Sequence, residues 1–273
     1  MLEVGINTNC EAGKNYKNIC NNIAKAGFKN VMIAFVRGQE EEQLKYAKKL
    51  GLNVCYVHLD HSVDNSKLWV HGKTHNAQMA LMMSQIDLCF KYGVKIAVLH
   101  SSYGDPREKL APPNEYGLSE FKRLIEYAKA RGVKLALENV DDGSIGHIRY
   151  LLNNIKSSYF GFCYDSGHHN LYAKDLDLLK LYGKRLLAVH LHDNLGDYKP
   201  GDDYLRDLHY LPLDGTIDFA SLMAKLKQVG YNNVVLLEVH KISANKTSIY
   251  SDLTPSQFLA KAHSVATTLR DMM

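Results

Sequence analysis

The stretch KYGVKIAVLH, residues 91–100, decides the fold, because it holds a helix end, a turn and a complete strand. A polar segment of helical periodicity ends at Gly93, and glycine adopts the left-handed conformation of a helix end at little cost. The apolar run that follows is rich in Val, Ile and Leu and does not alternate with polar residues. Such a run is typical of a strand covered on both faces in a parallel sheet.

The same succession of helix, glycine and strand recurs along the chain. Besides Gly93, it is found at Gly27, Gly51, Gly132, Gly183 and Gly230. With VGIN at 4–7 and FGFCYD at 160–165, eight strands are predicted. Helical segments are predicted at 15–26, 38–50, 74–92, 117–131, 144–155, 173–182, 216–229 and 255–271.

This alternation of strands and helices predicts a (β/α)8 TIM barrel, with residues 1–273 forming a single domain. A doubly wound open sheet is the competing topology, but no G-x-G-x-x-G follows the first strand.

Composition excludes several classes of protein. Hydrophobic residues make up 46% and charged residues 23% of the chain, which is ordinary for a folded globular protein. No apolar run reaches the ~18 residues of a membrane span, and the start MLEVGINTNCEAGK lacks the regions of a signal peptide. The five cysteines have no C-x-x-C spacing, as expected of free thiols in a reducing compartment. We therefore expect a cytoplasmic protein without a membrane partner.

The charge pattern gives no sign of a nucleic-acid partner. The formal net charge is +4, and Lys and Arg are not clustered densely enough to contact a phosphate backbone. The sequence leaves the oligomeric state open.

Six of the predicted strands end on side chains that bind metals in proteins. VCYVHL carries His58, KIAVLH carries His100, VKLALE carries Glu138, FGFCYD carries Asp165, RLLAVHLH carries His190 and His192, and VVLLEV carries Glu238. Such a side chain at the end of a buried run needs a partner that offsets its burial. The strands of a barrel end at one rim, where barrel active sites lie, so these residues are expected to converge. Glu138 and Glu238 would repel each other there unless a cation lay between them.

Three short motifs add to this set. Asp165 and His168 form D-S-G-H, and Asp207 and His209 form D-L-H. In VHLHDN the two histidines lie two residues apart on a strand and hence on one face, so either could be a ligand. Asp193 could orient one of them through a hydrogen bond.

Two long connections leave the same rim, at residues 59–73 and 193–215. Connections longer than ~12–15 residues tend to be functional. Trp69 lies in the first and Arg206 in the second. Together with Tyr103, they are candidate walls of a substrate pocket, and Trp69 is either a platform for a substrate ring or a packing residue beneath the loop.

The ordered set ALEN, YDSGH, VHLHDN, DLH with a later GTIDF, and LLEV resembles the xylose-isomerase-like barrel superfamily over nearly the whole chain. Its members include sugar and sugar-phosphate isomerases and epimerases, inosose dehydratases and endonuclease IV. The resemblance implies one divalent metal, Mn, Mg, Co or Zn, held by ligands from four successive strands. By motif these ligands are Glu138, Asp165, His190 and Glu238. His190 is preferred to His192 because the superfamily pattern is H-x-x-D.

The likeness to endonuclease IV implies that up to three zinc ions could bind. The candidate ligands for two further ions are His58, His100, His168, His192, Asp207 and His209. The chain could therefore supply one metal or three.

The favoured hypothesis is a metal-dependent isomerase or epimerase of a small sugar or sugar phosphate. Glu138 and Glu238 would transfer a proton through an enediolate. The predicted substrate contacts are His58, His100, His168, Trp69 and Arg206.

Three alternatives stay open at this stage. A three-zinc phosphodiesterase acting on abasic DNA would use the extra histidines, but residues 193–215 hold six Asp against Lys199 and Arg206, which disfavours phosphate binding. A dehydratase would share the metal and the base. A metal-free sugar-binding barrel would retain no stoichiometric metal.

Overall fold

The computed structural model describes residues 2–102, 110–199, 206–243 and 246–273. Within these ranges, eight strands alternate with nine α-helices. The strands are β1 (Val4–Asn7), β2 (Asn30–Ala34), β3 (Asn53–His58), β4 (Ile96–Leu99), β5 (Lys134–Glu138), β6 (Phe160–Asp165), β7 (Leu186–His190) and β8 (Val235–Leu237). The helices are α1 (Tyr16–Lys25), α2 (Glu40–Lys49), α3 (Lys73–Tyr92), α4 (Glu115–Lys129), α5 (Ile145–Asn154), α6 (Ser166–Tyr172), α7 (Leu178–Tyr182), α8 (Phe219–Gln228) and α9 (Pro255–Asp271).

All eight strands form one parallel sheet that closes into a barrel. Strands β1 to β7 pair in sequence order, and β1 also pairs with β8. The remaining gap, between β7 and β8, is bridged just beyond β7, where Leu191 N donates to Leu236 O at 2.9 Å and Glu238 N donates to Leu191 O at 3.1 Å. The predicted TIM barrel is confirmed and the open sheet is excluded. That residues 1–273 form one domain stays a prediction.

Five of the six glycines of the repeat have the predicted left-handed conformation, and Gly183 does not. Gly93, for example, ends α3 with φ 78°, whereas Gly183 has φ −58° and begins a 3-10 turn, Gly183–Arg185. A Cβ atom on Gly183 would lie 2.6 Å from Val229 Cγ1. This glycine is therefore needed for close packing rather than for a left-handed turn.

The helix predicted at 173–182 begins too early, because only α7 (Leu178–Tyr182) lies within this range. A separate helix, α6, was not predicted and starts directly after β6. Asp165 caps it, because its Oδ1 accepts a hydrogen bond from His168 N at 2.7 Å. The connection at 59–73 also contains a 3-10 helix, Val63–Trp69.

Two apolar clusters stabilise the barrel. The larger packs the outer faces of the strands against the helices. The smaller contains side chains from β2 to β8 and from Val234, directly before β8, and fills the inside of the barrel. Its members are Met32, Tyr56, Ile96, Val98, Ala136, Cys163, Ala188, Val234 and Leu236. In the described ranges, no helix combines the length and the apolar character that a bilayer crossing requires.

Candidate metal centre

Strand alternation carries the predicted ligands into the mouth of the barrel. Each strand-end residue follows an interior residue by two positions, so both point to the same face. These pairs are Tyr56 and His58, Val98 and His100, Ala136 and Glu138, Cys163 and Asp165, Ala188 and His190, and Leu236 and Glu238. The mouth is therefore lined by acids and imidazoles that stand directly on an apolar floor.

Four of these side chains converge in what we call the central group: Glu138, Asp165, His190 and Glu238. One donor atom from each lies within 4.8 Å of the others. His190 Nδ1 is 2.8 Å from Glu238 Oε2, 3.2 Å from Glu138 Oε1 and 3.9 Å from Asp165 Oδ2. All four side chains are buried.

The electrostatics of the central group match a cation site. Burial alone would raise the pKa of Glu138, but the imidazoles of His190 and His100 hold it well below its usual range. Burial would likewise lower the pKa of His190, yet the acids around it, Glu238 and Glu138 among them, and the Cys163 thiol raise it well above its usual range. Three buried carboxylates therefore meet with one imidazole to offset their charge.

The hydrogen bonding of His190 points the same way. Among the described residues, neither ring nitrogen has a hydrogen-bond partner of acceptable geometry, although both are buried. Buried imidazole nitrogens are normally satisfied. A ring nitrogen held near three carboxylate oxygens without an aligned hydrogen bond suits a metal ligand, which would bind once the ring has lost its proton, so the residues of the central group fit a divalent cation.

A second group, His58, His100 and Glu138, adjoins the first and shares one of its carboxylates. His58 Nε2 lies 3.0 Å from Glu138 Oε2 and 3.2 Å from His100 Nε2, and His100 Nε2 lies 3.4 Å from the same oxygen. His58 Nδ1 donates to Leu59 O at 2.8 Å, which directs the Nε2 lone pair into the group. We call this the histidine group.

A third group, His168, His192, Asp207 and His209, also adjoins the central group. Asp207 Oδ2 is 2.8 Å from His209 Nε2 and 3.1 Å from His168 Nε2. Burial would lower the pKa of His209, but Asp207 raises it to about 9. Backbone carbonyls fix the other ring nitrogens of two members, since His168 Nδ1 is 3.0 Å from Asn139 O and His209 Nδ1 is 2.8 Å from Glu238 O. We call this the aspartate–histidine group.

The two histidines of VHLH separate into different groups. His190 lies in the central group, whereas His192 lies in the aspartate–histidine group with its Nε2 3.0 Å from Asp165 Oδ1. Asp165 therefore connects the two groups, as Glu138 connects the central and histidine groups. The preference for His190 in the central position agrees with this geometry, and its role as a ligand stays a prediction.

Asp193 does not orient a histidine, contrary to the expectation from H-x-x-D. Its carboxylate accepts backbone hydrogen bonds of 2.9–3.2 Å from its neighbour and from the chain ahead of α8. The donors are the N–H groups of Asn194, Leu213, Gly215, Thr216 and Ile217. This aspartate holds the returning end of the long connection against β7.

The structure does not bring Trp69 into the mouth. Its side chain is 1% exposed, its Nε1 donates to Ser101 O at 2.7 Å, and its ring packs against Phe121 and His147. This is the packing alternative, and the platform interpretation was wrong because the 3-10 helix turns the ring inward. Arg206 is exposed and pairs with Asp197 at 2.7 Å. Tyr103 lies outside the described residues.

Two polar residues at the mouth were not singled out from the sequence. His240 lies two positions beyond Glu238, and Asn9 lies two positions beyond the last residue of β1. A search that continued two residues beyond each strand end, on the same face, could have found both. His61, in the connection after β3, is exposed, and its ring packs edge-on against His58 with centroids 4.8 Å apart.

Comparison of the sequence with known proteins identifies a family and several relatives of this chain. The sequence profile of the family described as "Xylose isomerase-like TIM barrel" matches residues 20–256. An inosose isomerase of Bacillus licheniformis is 26% identical over 192 residues, which cover 64% of this chain and 66% of that protein. A protein of Sinorhizobium fredii is 27% identical over 213 residues, 74% of this chain and 63% of the relative. Matches to the curated relatives span 53–66% of their lengths.

Solved structures share the fold at lower identity. A D-psicose 3-epimerase from Clostridium cellulolyticum H10, solved with D-tagatose, superposes with a TM-score of 0.78 at 16% identity and covers 99% of both chains. The IOLI protein with a bound zinc atom superposes with a TM-score of 0.78 at 17% identity and covers 98% of both chains.

Proposed function

The chain belongs to the xylose isomerase-like TIM-barrel family, and on that premise we propose that it is a divalent-metal-dependent isomerase or epimerase of a small sugar, sugar phosphate or polyol. The observation that carries the proposal is the convergence of Glu138, Asp165, His190 and Glu238 within 4.8 Å at the mouth of the barrel. Relatives named inosose isomerase and 3-epimerase support the reaction class.

The central group is where the metal would be held, by the four side chains named above. Bound there, a divalent cation would supply Lewis-acid polarisation of a substrate carbonyl and its neighbouring hydroxyl. Three carboxylates and one imidazole form an oxygen-rich donor set that suits Mn²⁺, Mg²⁺ or Co²⁺ and also accommodates Zn²⁺.

Glu138 and Glu238 would transfer the proton. They come from β5 and the end of β8 and approach the mouth from different sides. Removal of the hydrogen next to a carbonyl leaves an enediolate, and return of the proton to the other carbon or the other face completes the reaction. Glu238 contacts His190 through Oε2. Glu138 contacts His190 through Oε1 and His58 through Oε2. Glu238 Oε1 is thus the carboxylate oxygen best placed to accept the proton.

His168 is the proposed substrate contact among the buried histidines of the mouth. Its ring stands beside both catalytic and metal-binding groups, with Nδ1 3.3 Å from Glu138 Oε1 and Nε2 3.1 Å from Asp207 Oδ2. As an imidazolium it would donate from Nδ1 to Asn139 O and from Nε2 to Asp207 Oδ2, and a substrate oxygen would share or replace the Asp207 contact. His58 and His100 stay proposed as substrate contacts when one metal is bound.

The test uses metal-loaded protein and a panel of ketoses that includes D-tagatose, D-psicose and an inosose. Glu138→Gln and Glu238→Gln should each abolish metal-dependent interconversion, because amides neither accept the proton nor match the charge of the carboxylates. His263→Phe on α9 is a control outside the mouth, since its ring packs against Phe28. Near-normal activity in both glutamine variants would rule the mechanism out.

The two flanking groups favour a second candidate, a three-metal phosphodiesterase. The histidine group and the aspartate–histidine group each bring at least three ligand atoms together, and a one-metal isomerase needs neither as a cation site. The acidic composition of residues 193–215 remains the argument against a nucleic-acid substrate. Metal analysis separates the candidates: three zinc ions per chain, falling to two in Asp207→Asn, together with incision of an abasic duplex, would establish the phosphodiesterase.

A further inference from the structure

A pair of uncharged polar side chains, Asn9 and His240, stands beside the central group without belonging to any cluster of possible metal ligands. The His240 ring stacks on His209 with centroids 4.6 Å apart and an interplanar angle of 20°. Its backbone N donates to His209 O at 2.9 Å. His240 is therefore anchored next to both Glu238 and the aspartate–histidine group.

A hydrogen-bonded chain from β1 fixes the position of both side chains. The Asn9 amide nitrogen lies 3.5 Å from His240 Nε2. Asn7 Nδ2 donates to Asn9 Oδ1 at 2.9 Å, and Asn7 Oδ1 accepts from Val239 N at 3.0 Å. Asn7 is completely buried. It thus joins the ends of β1 and β8 and holds Asn9 and His240 in one arrangement.

This arrangement leaves donors available at the mouth. Asn9 and His240 are both partly exposed. When one Asn9 N–H is directed at His240 Nε2, the amide keeps a second N–H, and the imidazole carries its proton on Nδ1. Neutral amide and imidazole donors suit hydroxyl oxygens, whereas recognition of a phosphate is typically the task of guanidinium or ammonium groups.

We propose that Asn9 and His240 form a binding subsite for the hydroxyl groups of the substrate, positioned by Asn7. The inference rests on the proposed function and deepens it, because it assigns this side of the mouth to the uncharged, hydroxyl-bearing part of a sugar or polyol. The two residues determine affinity and specificity and take no part in proton transfer.

The test compares binding of D-tagatose and D-psicose by metal-loaded wild type and by Asn9→Leu and His240→Phe. Leucine nearly matches asparagine in size, and phenylalanine keeps the stack on His209, but neither offers a polar atom. Each variant should weaken binding of the bound ketose tenfold or more with unchanged metal content and melting temperature. His263→Phe, a partly exposed histidine outside the mouth, should bind like the wild type.

The outcomes distinguish this inference from the function on which it rests. Wild-type affinity in both variants, with metal content intact, would overturn the subsite. If His240→Phe binds weakly, His240→Asn should recover part of the affinity because it restores a donor, and no recovery would also count against the subsite. Failure of the wild type to bind any ketose or inosose would refute the proposed function itself. A strong preference for D-tagatose 6-phosphate over D-tagatose would refute only the assignment of the Asn9 and His240 side of the mouth to uncharged groups.

Discussion

His190 Nδ1 lies 2.8 Å from Glu238 Oε2, and this contact spans the gap where β7 and β8 close the barrel. The same nitrogen lies 3.2 Å from Glu138 Oε1 on β5. The candidate metal centre therefore ties together strands that are far apart in the sequence. Because the residues that would hold the cation also complete the barrel, metal binding and folding stability should be linked.

Chelation should lower the melting temperature of the metal-loaded protein. A cation at a free concentration 100 times its Kd adds about 2.7 kcal/mol to the free energy of unfolding, which corresponds to roughly 5–10 °C for a chain of this size. Differential scanning fluorimetry with and without EDTA measures the shift. Glu238→Gln should show little response to EDTA, and a wild type that is equally indifferent would contradict the linkage.

Gly117→Ala should destabilise the protein, because a Cβ atom there would lie 2.1 Å from Cε3 of the buried Trp69 ring. Overpacking of this kind costs typically about 1–3 kcal/mol. Gly146→Ala is the matched control, since Gly146 also lies in the first turn of a helix but has no atom within 4 Å of a built Cβ. It should be neutral or stabilise by up to ~1 kcal/mol. Urea unfolding measures both, and equal effects would refute the packing role of Gly117.

Asp60→Asn should destabilise the protein in a pH-dependent way. Burial alone would raise the pKa of Asp60, but hydrogen bonds from Arg37, Ser62 and Gln78 hold it well below its usual range. Since the folded state then binds fewer protons than the unfolded state, the stabilisation is complete above the unfolded pKa of ~3.9 and is lost as pH falls toward the folded pKa. The difference in unfolding free energy between wild type and variant should be about 1–3 kcal/mol at pH 7 and should shrink below about pH 4. A difference that is constant between pH 7 and pH 3 would show that the charge is not responsible.

Asp193→Asn should loosen the end of the connection that precedes α8. The carboxylate accepts from Leu213 N and Gly215 N on Oδ2 and from Thr216 N and Ile217 N on Oδ1. An amide presents an NH₂ group to two of these donors, at a cost of about 1–3 kcal/mol for each buried group left unsatisfied. Hydrogen exchange should accelerate at residues 213–217 while α4 keeps its protection. Unchanged exchange there would contradict the anchoring role.

The barrel could be predicted because one local pattern, a helix ended by glycine and followed by an apolar strand, is repeated along the chain. The exception at Gly183 shows the limit of the pattern. Glycine is required both where φ is positive and where another residue packs too closely for a Cβ atom, and at Gly183 the reason is the close approach of Val229. The start of α6 was missed because SGHHNLY has no apolar periodicity. Its signal is the capping aspartate at the end of β6, which the sequence also presented as a possible ligand.

The composition of the candidate site could be predicted from strand ends, but its division into groups could not. His190 and His192 share a face, yet two residues advance a strand by about 6.6 Å, which is enough to place them in neighbouring groups. Trp69 illustrates another limit. Its position in a long connection indicated a functional residue, whereas its packing against Phe121 and Gly117 depends on long-range contacts that local patterns do not encode.

The number of divalent ions retained per chain tests the account most directly. Protein purified from metal-supplemented medium and dialysed against metal-free buffer should retain at least one ion by inductively coupled plasma mass spectrometry, and Asp165→Asn should lose it. Asp165 is informative because it is fully buried and contributes to the central group. Wild-type protein that is folded but retains no stoichiometric metal, at any concentration of added Mn²⁺, Co²⁺ or Zn²⁺, would contradict the assignment of the central group as a metal centre.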